Sequence, residues 1–357
     1  MSFISLPDSD EIEVSLLGPG YGECVLVHLG YERWAVVDSH LDEAGQPIAL
    51  SYLMGMGVDP SEAVRLIVAT HWHDDHILGM EQLVEVCENA TFCCASALVN
   101  DEFLALIGVL NQYTATPAGS GAEELYGVFA LLRNRSQSRA YALSDRLIYS
   151  QSDLSVWALS PSDRAYEIFL RRVSQLLPGE LETEGRIPSL RPNDASVVLL
   201  IEVDDNVLLL GADLERPGWL DILDSDRTPY SRASVFKVPH HGSQSAHDER
   251  IWSELLTERP IAALTPWGLG GNYLPTEADV SRILSYTDSA YITALPAGTG
   301  GVRRRRHRIV DRSIRESGVA LRSVGGADGM VRLRKKLGVQ GEWRIELIGS
   351  ARQLTGA

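Results

Sequence analysis

The first 95 residues alternate short apolar runs with amphipathic stretches. The apolar runs are rich in residues of high β-propensity and are bounded by turn residues, which is typical of strands. The amphipathic stretches repeat their apolar positions every three or four residues, which predicts helices. The predicted strands are Glu13–Leu17, Cys24–Leu29, Arg33–Asp38, Val64–Ala69 and Ala90–Ala95, and the predicted helices are Pro47–Met56 and Leu78–Glu88.

Residues 96–190 show a different pattern. Apolar residues have helical spacing in Ser96–Asn111, Glu123–Asn134 and Ser162–Leu177. Arg139–Pro161, between the last two of these stretches, reads as strands. We interpret the whole segment as a helical insertion between strands of a sheet.

After the insertion the chain returns to strands at Ser196–Val203, Val207–Gly211 and Ser234–Val238, and helices and strands then alternate to about residue 299. Strands and helices interleaved in this way predict an α/β fold in which helices cover sheets. The predicted organisation is one domain over residues 1–302, with the helical insertion at about 96–190, followed by an extension over 303–357.

Length and composition are those of a globular protein. The chain has 357 residues, 45% of them hydrophobic, and no apolar run approaches the roughly 18–20 residues that span a bilayer. The N-terminal segment lacks the basic and apolar regions of a signal peptide. Four cysteines make no disulfide framework in a chain of this length. We therefore expect a cytoplasmic protein that does not bind membranes.

Charge is distributed unevenly along the chain. Residues 303–357 contain 14 Arg and Lys against 5 Asp and Glu, so the formal net charge of −16 arises entirely from residues 1–302. An acidic body excludes a protein that coats DNA in general, because phosphate contacts need cations. The basic extension can supply such contacts to a nucleic acid. Alternatively, it folds back onto the acidic body.

The segment Thr70–His76, with the sequence THWHDDH, carries the candidate chemistry. It directly follows an apolar strand. On an extended loop, His71 and His73 can converge on one metal ion, and Asp75 and His76 can reach a second ion about 3.5–4 Å away. Imidazole and carboxylate ligands together favour Zn²⁺, Mn²⁺ or Fe²⁺ over Ca²⁺ or Mg²⁺.

The pattern H-x-H-x-D-H after a buried strand resembles the signature of the metallo-β-lactamase superfamily. Three further segments resemble motifs of that family and follow in the family's order. They are Val36-Val37-Asp38, Gly211-Ala212-Asp213 and Lys237-Val238-Pro239-His240-His241-Gly242-Ser243. The resemblance extends over about residues 12–300 and implies a metallo-β-lactamase-like αββα sandwich.

The resemblance also implies roles for these residues. Asp38 is expected to support the metal loop from behind, and Asp213 to bridge two metal ions. We assign His241 to the metal and His240 to the substrate phosphate or leaving group, with Ser243 as a substrate contact. Asp75 is expected to bind metal and to accept a proton in a later step. Two divalent ions, Zn²⁺ or Mn²⁺, are the implied cofactors.

Three details are similar to the hydrolase domains of ComEC-type DNA-uptake proteins. They are the run from Gly18 to Val27, GPGYGECVLV, the terminal motif His240-His241-Gly242-Ser243, and the strand entry that begins at Asn193, NDASVVL. Related domains include nucleases and phosphodiesterases. The resemblance to this subfamily therefore implies a substrate that contains phosphodiester bonds.

One departure concerns a ligand. Many relatives use another histidine between the first cluster and the bridging Asp, but no histidine lies between Ile77 and Asp213. Asn193 or Asp194 could fill this position with an oxygen or through water, which would weaken the first metal site and favour a harder ion such as Mn²⁺. Alternatively, Asn193 only begins a strand.

These observations predict a cytoplasmic metallohydrolase of phosphodiester bonds in nucleic acid or a nucleotide, acting through a hydroxide that two metal ions activate. One alternative is a hydrolase of an ester, thioester or lactone with the same fold. Another is a weakly active or non-catalytic partner protein within a multi-protein complex, such as a defence or toxin system.

Overall fold

The structure, a computed structural model, describes residues 5–18, 21–99, 101–106, 121–151, 153–175, 191–225, 231–269, 271–295 and 329–356. Within these ranges the chain forms two eight-stranded sheets and one two-stranded ribbon. A cluster of buried apolar side chains from both large sheets fills the space between them. The predicted layered α/β class is therefore confirmed.

The first sheet combines the N-terminal strands with two strands from the C-terminal segment. Its strands are, in spatial order, β17 (Arg344–Ile348), β16 (Met330–Lys336), β1 (Glu11–Leu17), β2 (Cys24–Leu29), β3 (Trp34–Val37), β4 (Val64–Ala69), β5 (Thr91–Ala95) and β6 (Arg139–Ala142). The strands from β3 to β6 run parallel to one another. Parallel strands covered on both faces are apolar along nearly their whole length, and β4 shows this in the sequence VRLIVA, where Arg65 is the single polar residue.

The second sheet is built in the same way. Its spatial order is β18 (Arg352–Gln353), β15 (Ala290–Ile292), β12 (Leu256–Leu264), β11 (Ala233–Lys237), β10 (Asn206–Leu210), β9 (Leu199–Val203), β8 (Leu154–Ala158) and β7 (Arg146–Gln151). Here β10, β11, β12 and β15 are parallel. The ribbon consists of β13 (Trp267–Leu269) and β14 (Asn272–Leu274).

Helices cover the outer faces of the sheets. They are α1 (Ile48–Gly55), α2 (Pro60–Ala63), α3 (Asp74–Ile77), α4 (Met80–Val86), α5 (Gly121–Arg133), α6 (Asp163–Ser174), α7 (Arg216–Leu223) and α8 (Glu277–Leu284). A second buried cluster joins Trp219 of α7 and Ile283 of α8 to the second sheet. None of the helices in the described ranges is both long enough and apolar enough to cross a membrane.

The segment predicted as a helical insertion contains both helices and strands. Residues 101–106, α5 and α6 are helical, whereas β6 ends the first sheet and β7 and β8 end the second. The chain therefore passes from one sheet to the other within this segment. The strands predicted in Arg139–Pro161 are present. The last part of the predicted helix Ser96–Asn111 lies outside the described residues.

The described part of the C-terminal segment, 329–356, contributes β16 and β17 to the first sheet and β18 to the second. Two of its basic side chains are buried in ion pairs, Arg334 with Glu13 and Arg332 with Glu346. The first of these pairs joins the segment to β1 and agrees with the alternative in which the basic segment folds back onto the acidic body, whereas the second lies within the segment itself. The run Arg303–Arg308 lies outside the described residues.

Candidate metal centre

The candidate site lies where the parallel strands of both sheets end. Asp38 follows β3, the metal loop Thr70–His76 follows β4, and Asp213 and His241 follow β10 and β11. Ligands of α/β sheets usually bind beyond the carboxyl ends of such strands. The two sheets therefore bring residues from distant parts of the chain to a common edge.

In the metal loop, the first two histidines face each other. Nε2 of His71 lies 3.2 Å from Nδ1 of His73. Two nitrogen ligands of one tetrahedral zinc ion are about 3.3 Å apart when each is about 2.0 Å from the metal. The spacing therefore suits a single ion held between the two rings.

The short helix α3 turns the side chains of Asp75 and His76 toward Asp213 and His241. Nε2 of His76 lies 3.5 Å from Oδ1 of Asp213 and 3.9 Å from Oδ2 of Asp75. Nε2 of His241 lies 3.5 Å from Oδ2 of Asp75 and 3.6 Å from Oδ2 of Asp213. All four side chains are buried. These four residues form a second group of ligand atoms, with Asp213 in contact with both rings.

Left-handed backbone conformations shape the turns that carry Asp213 and His241. The φ angles are 45° at Ala212, 47° at His240 and 54° at His241. Such values are uncommon for residues other than glycine, and they are often found at functional sites. A Cβ atom at Gly211 would lie 2.9 Å from the carbonyl oxygen of Lys237, so the close approach of the two turns requires glycine there.

Asp38 supports the metal loop from behind. Its carboxylate accepts hydrogen bonds from the backbone N–H of Thr70 at 2.8 Å, from the Thr70 hydroxyl at 2.7 Å and from Nδ1 of His76 at 2.8 Å. With Nδ1 of His76 acting as donor, its Nε2 is left to face Asp213. The structure thus places Asp38 where the resemblance expects a supporting residue.

The centre has an excess of buried negative charge. Burial tends to raise the pKa of Asp75 and Asp213, yet the nearby His76 and His241 hold both pKa values below their usual range. Burial tends to lower the pKa of His76, but Asp213, Asp75 and Asp38 raise it well above its usual value. The three carboxylates therefore require positive charge in their midst, which either a protonated histidine or a metal ion can supply.

Unsatisfied atoms favour the metal ion. Within the described part of the chain, Nε2 of His76, Nε2 of His241 and Oδ1 of Asp213 are buried and lack a hydrogen bond of acceptable geometry. Buried polar atoms are normally satisfied. The donor set of imidazole nitrogens and carboxylate oxygens is one that Zn²⁺ and Mn²⁺ accept. The residues present therefore fit the implied divalent ions.

His240 and Ser243 occupy the rim of the centre. The His240 side chain is 21% exposed, and its Nδ1 lies 3.1 Å from the Ser245 hydroxyl and 3.9 Å from Glu215. Burial lowers the pKa of His240 despite the nearby carboxylates of Asp213 and Glu215. The hydroxyl of Ser243 also contacts that of Ser245, at 3.1 Å. The two predicted substrate contacts are thus adjacent to the ligands but more accessible.

The two candidates for the missing ligand have different surroundings. Asp194 forms an ion pair with Arg172. Asn193 is buried, and its Oδ1 has no hydrogen-bond partner among the described residues. The chain after Asn193 passes beside the metal loop, because the Val197 N–H donates to the Thr70 carbonyl at 3.1 Å. No hydrogen bond in the described ranges joins Asn193 to His71 or His73, so its role as a ligand stays a prediction.

Sequence reasoning gave no role to three buried residues at the centre. Glu23 and Lys237 lie within the motifs given above, but the sequence pattern indicates no role for either of them, nor for Thr265. Thr265 is the first polar residue after an apolar strand end, the same position that Thr70 has after β4. That shared position is the signal that could have identified it.

Part of the chain is similar to a known protein family. Residues 17–124 match the family model of the metallo-beta-lactamase superfamily. The matched residues include Asp38 and the whole metal loop and end before Asp213 and His241. The similarity to this superfamily is therefore found in the part of the chain that carries the metal loop. No match to a curated protein was found.

Solved structures with some similarity include a HARLDQ-motif mutant of a metallo-beta-lactamase from Cronobacter sakazakii, at 17% identity and a TM-score of 0.37 over 62% of this chain and 75% of that chain. The metallo-beta-lactamase SMB-1 bound to 2-mercaptoethanesulfonate has 13% identity and a TM-score of 0.36 over 67% and 82%. A mutant of the CmlA beta-hydroxylase has 14% identity and a TM-score of 0.40 over 91% of this chain and 54% of that chain. Similarity at this level carries no argument about activity.

Proposed function

We propose that this chain is a metal-dependent hydrolase that binds two divalent ions, Zn²⁺ or Mn²⁺. The proposal is carried by one observation: the buried side chains of four residues lie close together, and some of their polar atoms have no hydrogen bond. The residues are His76, His241, Asp75 and Asp213, and the unbonded atoms are Nε2 of both histidines and Oδ1 of Asp213. His71 and His73 would hold one ion. The other four would hold the second, with Asp213 between the two.

Divalent ions bound here would lower the pKa of a water molecule toward neutrality and stabilise negative charge on substrate oxygens. The chain's own residues orient the reaction. Asp38 fixes the ring of His76 and the start of the metal loop. When Nδ1 of His240 accepts the proton of the Ser245 hydroxyl, which lies 3.1 Å away, the ring proton is on Nε2 and can be donated in a hydrogen bond to a leaving group at the rim.

We further propose a phosphodiester as the substrate, in a nucleotide or a nucleic acid. Support comes from a cavity of about 500 Å³ whose lining includes Leu214 and Glu215, which directly follow Asp213 in the chain, and both carboxylates and guanidinium groups from several parts of the chain. Its arginines are Arg164, Arg172, Arg191 and Arg216. Guanidinium groups match the geometry of phosphate oxygens. Arg191 has no ion-pair partner in the described ranges, whereas the other three face carboxylates.

The experiment is a metal-reconstitution assay. The protein is stripped with a chelator, its metal content is measured, and Zn²⁺ or Mn²⁺ is then returned in the presence of bis-p-nitrophenyl phosphate. Hydrolysis that depends on the returned metal supports the proposal. Hydrolysis of a thioester or carboxylic ester instead would favour the ester-hydrolase alternative. Less than one bound ion per chain and no hydrolysis would favour a non-catalytic partner protein.

A cytoplasmic location is also proposed. The four cysteines, Cys24, Cys87, Cys93 and Cys94, are buried free thiols. Burial raises the pKa of each thiol, which makes them unreactive. Free, unreactive thiols suit a reducing compartment.

A further inference from the structure

Glu23 is a buried carboxylate next to the metal centre. Its side chain is 2% exposed, and its backbone N–H donates to the carbonyl oxygen of Asp75 at 2.8 Å. Its Oε2 accepts a hydrogen bond from the hydroxyl of Thr265 at 2.5 Å. Glu23 therefore contacts the metal loop of the first sheet and the end of β12 in the second.

Thr265 links Glu23 to His241, one of the proposed metal ligands. Its hydroxyl lies 3.0 Å from Nδ1 of His241, and its carbonyl oxygen lies 3.2 Å from the same nitrogen. Since the hydroxyl proton is donated to Glu23, the hydroxyl can only accept from His241. Both neighbours of Nδ1 are then acceptors, so Nδ1 carries the proton. The lone pair is left on Nε2, the atom that faces Asp75 and Asp213.

Lys237 joins Glu23 to the other side of the centre. Its ammonium group lies 2.5 Å from Oε1 of Glu23, donates to the carbonyl oxygen of Ala212 at 2.9 Å and lies 3.8 Å from Oδ1 of Asp213. The side chain is only 3% exposed. The positive charge of Lys237 therefore compensates the buried charge of Glu23 and restrains the turn that carries Asp213.

The same arrangement occurs once more, in the first sheet. The Thr70 hydroxyl donates to Asp38 and lies 3.0 Å from Nδ1 of His71. At the edge of each sheet, a carboxylate thus accepts a hydrogen bond from a threonine hydroxyl, and the same hydroxyl lies next to Nδ1 of a histidine. In both cases the threonine directly follows a parallel strand, β4 or β12. The repetition indicates that the second arrangement serves a ligand, as the first does.

We propose that Glu23 and Thr265 are positioning residues for His241, holding its ring and its tautomer so that Nε2 binds the second metal ion. The inference rests on the proposed metal centre. Hydrogen bonds behind a metal-binding histidine fix its orientation and raise its basicity, and their loss typically weakens metal binding about 10–100-fold. Neither Glu23 nor Thr265 touches the substrate in this account.

The test compares Thr265→Val, which keeps the shape of the side chain and removes the hydroxyl, with Thr265→Ser, which keeps the hydroxyl. Chelator-treated proteins are titrated with Co²⁺, and binding is followed by calorimetry and by the visible absorption of the ion. We expect wild-type protein to bind two ions. T265V should bind one of them about 10–100-fold more weakly, and T265S should bind both as wild type does.

The outcomes separate this inference from the function on which it rests. Wild-type affinity for both ions in folded T265V would overturn the positioning role and leave the metal centre intact. No Co²⁺ binding by the wild type would instead contradict the metal centre itself. Circular dichroism establishes that each variant folds. If T265V does not, Thr265→Ala removes the same hydroxyl without placing a new methyl group beside Glu23, and the same loss of affinity is expected.

Discussion

Nε2 of His71 and Nδ1 of His73 lie 3.2 Å apart, although the two residues are separated along the chain by a tryptophan. Extended backbone places alternate side chains on the same side, and Trp72 between them is 9% exposed and packs on Phe103 and Phe169. The aromatic contacts hold Trp72 on one side of the loop, so that the rings of His71 and His73 face the other side. The first ion of the proposed centre depends on this relationship.

Replacing His73 by Ala should therefore remove one metal ion and abolish most hydrolysis. We expect at least about a 100-fold loss of rate, because a missing ligand should cost no less than a missing hydrogen bond behind a ligand. Metal per chain and turnover of bis-p-nitrophenyl phosphate are measured together. His247→Ala is the control, since that ring packs on Tyr286. Two bound ions and an unchanged rate in H73A would contradict the assignment.

Replacing Asp38 by Asn should lower both stability and metal affinity. The backbone at Asp38 has a φ of 61°, which asparagine also tolerates. An amide has only one oxygen, so its NH₂ group would face either the Thr70 donors or the His76 donor. A buried mismatch of this kind costs about 1–3 kcal/mol.

Urea unfolding of D38N, compared with Asp205→Asn in an exposed turn, measures the loss of stability. A free energy of unfolding equal to that of D205N would show that the carboxylate of Asp38 is not needed.

The ion pair between Glu13 and Arg334 should fix the C-terminal strands to the first sheet. Nε of Arg334 donates to Oε2 of Glu13 at 2.6 Å, and both side chains are buried. Oε1 of Glu13 also accepts from Tyr52 and Ser15. Arg334→Met would leave the carboxylate of Glu13 uncompensated, which costs about 3–5 kcal/mol.

Chemical denaturation measures this cost, and the double variant Glu13→Gln/Arg334→Met should recover part of it, because both charges are then removed. If the single variant were as stable as wild type, the pair would not restrain β16.

The arginine run Arg303–Arg308 offers the test of nucleic-acid binding. Truncation at residue 303 would also remove β16, β17 and β18, so substitution of the five arginines by serine is the sharper change. If the run binds phosphate, the affinity for single-stranded DNA should fall, and the slope of log K against log salt should decrease by about 0.7 for each lost contact. An unchanged affinity and slope would show that these arginines are not the phosphate-binding element.

The sequence was sufficient to predict the layered fold and most of the residues that meet at the centre, because each follows an apolar strand and carries chemistry that a core does not need. Thr265 could not be predicted from the sequence, because a lone threonine carries no such chemistry. Its role becomes visible only beside Glu23 and His241, which the fold brings next to it. The strands β16 to β18 could not be predicted either, because the sequences of β16 and β17, MVRLRKK and RIELI, are rich in charged residues. Arg332 and Arg334 of β16 are buried because they form ion pairs with Glu346 and Glu13.

The pairing of β16 with β1 has a consequence for synthesis. The ribosome releases the N-terminal strand first, yet its neighbour is made only after more than three hundred further residues. Until then one edge of the nascent sheet lacks its partner and can attract other chains. A cell that makes this protein slowly, or stops translation early, should accumulate aggregates rather than a shorter folded form.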